Sequence, residues 1–547
     1  MPKIKQNVKK PPGFWLRSCS VMIDLAAISL FIALAANIAA SFGLYIPIEL
    51  TILAVYTLYN AICQPVWSCT LGKWVCEIKV VRRNGRRIGC LASTTRALIQ
   101  TISLSLFGLP FIAVAVRRDK RGWHDLLAGT EVQFMTKPST RRRWAVAAVC
   151  AFIACWGLYQ GYTWIHLFGI HHAFIEDADQ TWRRSSDAMK DRVDVNSLDD
   201  RQFDGISAWL DENWQDPAQY LVHFAAGHHV TIVGETHGEK PFLEFFSRSI
   251  AALYHTAGVR VIALECCRSD QDALLRHLVT ADEFDEALLL DIARSHPWRA
   301  WGYEEHWRVL ESVWQLNQSL PHTSEPMHVV GIFPSVDLIS LHMIKEGHVH
   351  RFFRLLDDLP LLFMHDAFYA RCVERQAFDI QRRTLVWVGA AHAIQCQSSQ
   401  RLRNDQSRRH FRMGAMLYGR YGHQVGSVLL HNEHSFKDIA KLLERCPVVQ
   451  EKKQVGFTIA DSPVDVLHDN SSFVAKYGKV ELPLEAFFSG YIVVTPLQEI
   501  YSCLWWKNYI NRRMFGLYKP FYEKLCERKL RDYKEANIYM GEGVHRF

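Results

Sequence analysis

Four long, nearly uncharged apolar segments before residue 170 constrain this chain more than any other feature. They occupy residues 23–40, 46–66, 97–116 and 144–164. Each is close to the length that an α-helix needs to cross a bilayer, and Lys and Arg flank the group. The first is too long for a cleaved signal peptide, and a second follows soon after it. The segments predict a retained α-helical transmembrane domain, with buried core helices as the alternative.

Charged residues stand at set places around these segments. Arg17 and Asp24 lie seven positions apart near the start of the first, Arg96 opens the third, and Asp125 follows it. In this pattern residues 10–135 resemble the RDD family of small bacterial membrane domains, named for an Arg and two Asp residues. Because an unpaired charge is costly at a membrane, Asp24 is expected to pair with Arg17, Arg96 or a similar cation. We interpret that pairing as structural.

Basic residues leave two membrane topologies open. The N-terminus and the segments 73–96 and 117–143 are rich in Lys and Arg, which favours all three in the cytoplasm. If Gly108-Leu109-Pro110 turns the third segment back, the fourth exports the large domain to the periplasm, the placement we favour. If the third segment crosses fully, the large domain is cytoplasmic. Either way the sequence predicts a multi-pass protein of the bacterial inner membrane, with the lipid bilayer as a partner.

Three apolar runs farther along the chain each end in a reactive side chain. Residues 230–233 lead into Gly-Glu-Thr-His-Gly, which supplies Glu235 and His237. Residues 259–264 end before Glu265, and 384–388 end before Gly-Ala-Ala-His392. Ligands bind beyond the carboxyl ends of parallel strands. Glu235, His237, Glu265 and His392 are therefore expected to converge on one rim.

The rest of the soluble part alternates strand and helix patterns. Residues 328–333 and 425–430 are two further predicted strands, and 242–257 is a crossover helix. The pattern predicts a C-terminal α/β domain with a mainly parallel sheet and a helical insertion, joined to the α-helical transmembrane domain. The expected divisions are an RDD-like domain at 1–135, a further transmembrane helix at 136–168, a linker with helices at 169–225, the α/β domain at 226–440 and a C-terminal extension at 441–547.

A second resemblance rests on the order of these motifs together with Trp301-Gly302 and Arg412-Met413-Gly414. Residues 228–432 resemble the erythromycin esterase and ChaN-like superfamily, to which the Tiki and TraB proteins are related. Esterases of that group typically carry an extra alanine in the first motif and a His-Asn-x-His segment where this chain has Gly-Ala-Ala-His. On both points the sequence is nearer to the haem-binding ChaN-like branch.

The chemistry of Glu235, His237, Glu265 and His392 leaves three interpretations open. In a hydrolase, His237 oriented by a glutamate would deprotonate water for attack on an ester or amide, and His392 would stabilise the oxyanion or protonate the leaving group. The substrate would then be a small molecule or a peptide. In the second interpretation the hydrolase is metal-dependent, because the same two imidazoles and two carboxylates also suit Zn, Mn or Fe, and a metal-bound water would be the nucleophile. The third interpretation is a haem- or metal-binding protein without catalysis.

Further candidates come from an aromatic segment at residues 294–314. Its His296 and His306, with Glu239 near the first motif, are second-tier site residues, although tryptophans at helical spacing usually pack in a core. The basic, aromatic residues 505–524 predict a helix that either docks on a membrane surface or packs on the domain. No nucleotide-binding glycine loop is present, and a net charge of +7 requires no nucleic-acid partner.

Overall fold

The structure is a computed structural model. It describes residues 11–41, 48–105, 112–135, 148, 165, 169–170, 172–181, 192–296, 301–334, 365–395, 398–400, 409–469 and 483–542. The described residues form two compact units. The first contains those up to 148 together with 510–536, and the second contains those from 165 to 509 together with 537–542.

The first unit is helical with one antiparallel pair of strands. Its elements are α1 (Phe14–Ser41), α2 (Ile48–Trp67), α3 (Leu71–Val75), β1 (Ile78–Arg82), α4 (Cys90–Ser105), α5 (Ile112–Val116), α6 (Trp123–Leu127) and β2 (Thr130–Phe134). Strands β1 and β2 pair with Val80 opposite Val132. The helix Arg512–Leu525 also belongs to this unit and packs against α1. Its aromatic residues Phe515, Tyr518, Phe521 and Tyr522 are buried, as expected if the helix packs on protein.

The predicted membrane spans are only partly reproduced. The first lies within α1, most of the second lies within α2, and the third is divided between α4 and α5. The proposed break at Gly108-Leu109-Pro110 and nearly all of the fourth segment lie outside the described residues. Among the residues that the structure describes, no helix combines the length and the hydropathy needed to cross a bilayer. A helical amino-terminal region is thus confirmed, but the expected spanning helices are not found in the described part of the chain.

Buried ion pairs connect the helices of the first unit. Asp125 Oδ2 lies 2.7 Å from Arg17 Nη1, and its Oδ1 lies 3.2 Å from Arg96 Nε. Asp24 contacts a different cation, Lys73, at 3.5 Å, and accepts hydrogen bonds from Thr70 Oγ1 and the Gly72 N–H at 2.6 and 2.7 Å. Asp24 therefore has a cationic partner as expected, but Arg17 and Arg96 both bind Asp125 instead.

The second unit is built on a seven-stranded sheet. Its strands are β3 (Val193–Asp194), β4 (Val230–Glu235), β5 (Val261–Arg268), β6 (His328–Phe333), β7 (Thr384–Gly389), β8 (Ser398–Gln400), β9 (Arg409–Phe411), β10 (Val425–Leu430), β11 (Val455–Thr458), β12 (Leu467–His468) and β13 (Gly490–Val493). The main sheet has the order β11-β13-β10-β4-β7-β5-β6. All neighbours in it are parallel except β11 and β13. The pairs β3–β12 and β8–β9 form two small separate sheets.

Helices separate the strands of this sheet. They are α7 (Asp200–Asn213), α8 (Pro217–Gly227), α9 (Lys240–His255), α10 (Asp272–Thr280), α11 (Glu286–Arg294), α12 (Glu304–Ser319), α13 (His365–Glu374), α14 (Ala390–Ala393), α15 (Met413–Tyr421), α16 (Lys437–Glu444) and α17 (Pro447–Lys452). The packed helix Arg512–Leu525 becomes α18, and α19 (Tyr533–Glu542) follows it. Phe246 of α9 stacks on Trp387 of β7 at 4.1 Å between ring centroids, which anchors the crossover helix on the centre of the sheet.

The predicted α/β domain with a mainly parallel sheet is confirmed. The runs near residues 230, 260, 330, 386 and 427 all form strands of the main sheet, and the predicted crossover helix is α9. Strands β4 and β5 point the same way as predicted, but β7 lies between them. Strands β11 and β13, which follow residue 440, complete the same sheet. The central strands are buried over their whole length because helices cover the sheet.

Candidate functional site

The three central strands β4, β7 and β5 bring the predicted residues to one edge. Glu235 is the last residue of β4, and His237 follows it in the turn before α9. Glu265 lies in β5, and His392 lies in α14 directly after β7. Because β4 and β5 both pair with β7 in parallel, these four side chains meet beyond the same end of the sheet.

Glu265 lies between the two imidazoles. Its Oε2 is 3.6 Å from His237 Nε2, and its Oε1 is 3.5 Å from His392 Nε2. The Gly389 N–H donates a hydrogen bond to Oε2 at 2.8 Å, which fixes the carboxylate against the end of β7. The two Nε2 atoms thus face opposite oxygens of one glutamate.

Each imidazole is held from behind by another carboxylate. His237 Nδ1 donates to Glu235 Oε1 at 2.6 Å, and His392 Nδ1 donates to Asp366 Oδ1 at 2.7 Å. In both rings the Nδ1 hydrogen bond orients Nε2 towards Glu265. The side chain of Glu235 is 1% exposed, whereas that of His237 is 34% exposed and therefore reachable from solvent.

Asp366 was not among the residues predicted from the sequence. It is the second residue of α13, and Arg412 Nη1 and the Met413 N–H bind it at 3.1 and 3.0 Å. His365 Nε2 lies 3.2 Å from Asp366 Oδ2. The same helix places the Tyr369 hydroxyl 3.5 Å from Glu265 Oε1. The pattern His-Asp-x-x-Tyr at the start of a helix is the one signal that the sequence offered for these residues.

An aromatic wall borders His237. Its ring centroid lies 4.6 Å from that of Trp301 and 6.2 Å from that of His306. His306 Nε2 accepts a hydrogen bond from the Gly238 N–H at 3.2 Å, so it supports the turn that carries His237. His296 is buried against Trp301, with 5.1 Å between the ring centroids. Both of these second-tier histidines thus pack against Trp301, the ring that borders His237.

Glu239, the remaining second-tier residue, directly precedes α9 as its N-cap residue. It is buried, and its backbone forms an isolated bridge with Ser502. Its position therefore connects the turn after β4 to the segment near residue 502.

The carboxylates and imidazoles shift one another's protonation. Burial alone would lower the pKa of His237, but the charges of Glu265 and Glu235 outweigh it and raise that pKa to about 9. Burial likewise opposes protonation of His392, yet Asp366 and Glu265 raise its pKa. Burial raises the pKa of Glu235, whereas the pKa of Glu265 is lowered because the two imidazoles and the Gly389 N–H offset burial. The carboxylates of the site thus favour the protonated forms of both imidazoles.

One group of described residues could hold a metal ion, and of the four predicted ligands it includes only His392. Among the described residues, His365, Asp366 and His392 bring ligand atoms within 4.8 Å of one another. The other three predicted ligands, Glu235, His237 and Glu265, are not part of such a group in the described chain.

Several solved structures share part of this architecture. A succinoglycan biosynthesis protein is 10% identical with a TM-score of 0.37, covering 54% of this chain and 96% of its own. A variant of the erythromycin esterase EreC in its open conformation is 11% identical with a TM-score of 0.35, covering 53% and 95%. Haem-bound ChaN of Campylobacter jejuni is 13% identical with a TM-score of 0.26, covering 39% and 85%. The expected neighbours, an erythromycin esterase and a ChaN protein, are thus both found.

The amino-terminal region has a sequence match as well. The profile of the RDD family matches residues 11–129. The uncharacterized protein YckC of Bacillus subtilis (strain 168) is 32% identical over 136 residues, which cover 24% of this chain and 89% of that protein. Arg17, Asp24, Arg96 and Asp125, the charged residues that pointed to this resemblance, all lie inside the matched range. Through this region, the chain belongs to the RDD family.

Proposed function

We propose that the second unit hydrolyses an ester or amide bond by acid–base catalysis with two imidazoles. The observation that supports this most is the exposed imidazole of His237, whose Nδ1 is fixed by buried Glu235 at 2.6 Å. A carboxylate in this position fixes the tautomer and leaves Nε2 to accept a proton. The opposed imidazole of His392 supplies a second proton-transfer group across Glu265.

The roles follow from the two protonation states. Neutral His237 removes a proton from the attacking water, which forms the new C–O bond of a tetrahedral intermediate. Protonated His392 gives its proton to the leaving oxygen or nitrogen as the scissile bond breaks. Asp366 and Glu265 raise the pKa of His392, which favours its protonated form. Glu265 stabilises whichever imidazole is charged.

The donor set fits a bound metal poorly. Asp366, the central residue of the group His365, Asp366 and His392, already meets four donors at 2.7–3.2 Å. A carboxylate has about four lone-pair directions, so a cation there would displace Arg412 or an imidazole. No step of the proposed reaction passes through a metal.

The test is turnover of p-nitrophenyl acetate by the full-length protein. His237→Ala should abolish turnover, whereas His277→Ala should retain it, because His277 is exposed on α10, a helix that carries none of the site residues. The two variants remove the same side chain, so they differ only in its place. Equal rates for both variants would contradict the proposal.

A second candidate function is haem binding. The accessible imidazole of His237 lies against the Trp301 ring, and it would supply a nitrogen ligand to haem iron if haem were bound. Purified protein titrated with haemin should then develop a sharp Soret band that His237→Ala loses. An unchanged haemin spectrum would remove this candidate.

We also propose that the first unit lies in a lipid bilayer. Membership of the RDD family supports this, and so does an inverted distribution of side chains. Its helices bury polar residues, namely Arg17, Asp24, Asn60, Gln64, Arg96, Gln100 and Asp125. They expose large apolar residues, namely Trp15, Leu58, Ile62, Trp67, Leu91, Leu98, Ile102, Trp123 and Leu127. A surface of this kind is unfavourable in water and favourable against lipid tails.

A further inference from the structure

Asp366 is the point at which three separate segments meet behind His392. Its Oδ1 accepts hydrogen bonds from His392 Nδ1 at 2.7 Å and from the Met413 N–H at 3.0 Å. Its Oδ2 contacts Arg412 Nη1 at 3.1 Å and His365 Nε2 at 3.2 Å. The side chain of Asp366 is 10% exposed and that of His392 is 15% exposed, so the contact between them is largely shielded from water.

This arrangement parallels the one behind His237. Glu235 binds His237 through Nδ1 in the same way, and both rings direct Nε2 to Glu265. The two pairs differ in their support, since Asp366 is itself held by Arg412 at the start of α15. A carboxylate fixed by an arginine and a backbone N–H cannot easily turn away from the imidazole that it orients.

From this geometry we infer that Asp366 is a positioning residue, which orients His392 as the acid of the hydrolysis proposed above and keeps its proton on the side of Glu265. The inference rests on that proposed function. Arg412 and Met413 act one step farther away because they hold Asp366 in place. His392 is faced by Glu265, Asp366, Arg412, His365 and Tyr369. Of these, Asp366 makes the shortest contact.

Substitution of Asp366 tests the inference with the full-length protein in detergent. Asp366→Asn keeps the shape but removes the charge, so turnover of p-nitrophenyl acetate should fall on the order of 10- to 100-fold in kcat with KM nearly unchanged. Asp366→Glu should restore part of the loss. The matched control is Glu444→Gln, which changes another carboxylate–imidazole pair, that of half-buried Glu444 with buried His431 at 3.5 Å, and should leave kcat unchanged.

A second measurement does not depend on turnover. Hydrogen–deuterium exchange at the imidazole C2 position, followed by mass spectrometry across pH, reports the pKa of each histidine in the intact chain. In Asp366→Asn the pKa of His392 should fall by at least about one unit while that of His237 changes less. If wild-type protein turns over no ester but this shift occurs, the hydrolase proposal fails and the positioning role stands.

Two results would overturn the inference. One is an unchanged pKa of His392 in Asp366→Asn in folded protein. The other is stoichiometric Zn²⁺ binding to wild-type protein that Asp366→Asn and His365→Ala both abolish, since Asp366 would then be a metal ligand.

Discussion

At the scale of single residues, the environment of each imidazole decides what it can do. His237 is open to solvent, yet its pKa is raised to about 9 because Glu265 and Glu235 outweigh the effect of burial. A base with this pKa is mostly protonated at neutral pH. The rate of the proposed reaction is therefore limited by the small fraction of His237 that is neutral, and that fraction changes with pH.

The rate should accordingly rise with pH. Between pH 7 and pH 9 the neutral fraction of a group with a pKa near 9 increases from about 1% to about half, so kcat/KM should increase roughly 50-fold. Steady-state turnover of p-nitrophenyl acetate across this range, corrected for spontaneous hydrolysis, measures the rise. A rate that declines steadily above pH 7 would assign His237 the acid role.

Glu265→Gln should move that rise to lower pH. The carboxylate of Glu265 raises the pKa of His237, so its neutral amide lets the imidazole lose its proton more easily. Gln can still accept the hydrogen bond from the Gly389 N–H, which limits disruption of the fold. The quantity to compare is the midpoint of the pH profile, because the maximal rate also reflects other roles of Glu265. A midpoint displaced to higher pH would contradict this account.

At the scale of elements, the end of β7 determines how closely the site is packed. A Cβ added at Gly389 would lie 2.9 Å from His237 Nε2 and 3.1 Å from its Cε1. The backbone of Gly389, at φ −58° and ψ 140°, is accessible to any residue. Glycine is needed there for space, since a side chain would push the imidazole away from Glu265.

Gly389→Ala should therefore impair activity more than stability. We expect kcat/KM to fall at least about 10-fold, because a displaced base loses its alignment with water. The thermal midpoint should change little, since the imidazole can move. Gly205→Ala is the control: Gly205 lies in α7 with open space around its Cβ position, and alanine there should be neutral or stabilise by up to about 1 kcal/mol. Comparable activity losses in both variants would contradict the packing argument.

A buried aspartate is expected to stabilise the first unit. Asp125 joins α1 and α4 through Arg17 and Arg96, with all three side chains at most 6% exposed. Asp125→Asn leaves two buried cations without their counter-charge and should destabilise the unit by about 3–5 kcal/mol. Asp119→Asn breaks an exposed pair with Arg117 and should change the stability far less, because solvent screens that pair. Thermal unfolding in detergent compares them, and equal midpoints would show that the Asp125 pairs are not structural.

At the scale of the whole molecule, two units of opposite character share one chain. The first buries charges and exposes apolar side chains, whereas the second buries a large apolar core around its sheet. We propose that the first distribution is adapted to lipid and the second to water. Membrane attachment of a water-facing α/β domain is therefore the arrangement that we propose.

Membrane placement can be measured directly. If the first unit lies in a bilayer as proposed, the full-length protein should sediment with membranes, resist extraction by alkaline carbonate and dissolve in detergent, because lipid or detergent would cover its exposed apolar side chains. Release by carbonate alone would contradict insertion. Protease added to spheroplasts should cleave the second unit if it is periplasmic. Cleavage in inverted vesicles alone would place that unit in the cytoplasm.

A feature of this protein could be predicted from the sequence when it depends on neighbouring residues. Apolar runs such as 230–233 and 384–388 became strands, because a run of buried apolar residues bounded by turn residues is a local signal. Glu235, His237, Glu265 and His392 could be named as candidates because each follows such a run. Asp366 could not, since its importance arises only where α13 meets residues 392 and 412.

For the ion pairs of the first unit, the need for a partner could be predicted from the sequence, but the identity of the partner could not. That Asp24 needs a cationic partner follows from the cost of burying a charge, and the structure supplies Lys73. Which cation it meets depends on how α3 approaches α1, and no spacing in the sequence encodes that approach.

Local patterns in the sequence were sufficient to predict the class of both parts: the RDD-type helical region and the parallel α/β domain with reactive residues at its strand ends. Hydrophobic periodicity and motif order are properties of neighbouring residues, so they can be read without coordinates. Three features became visible only in the folded domain: β7 lies between β4 and β5, one glutamate faces both imidazoles, and Asp366 stands behind His392. The side-chain contacts among them join residues at least 26 positions apart, so packing of the whole domain selects them.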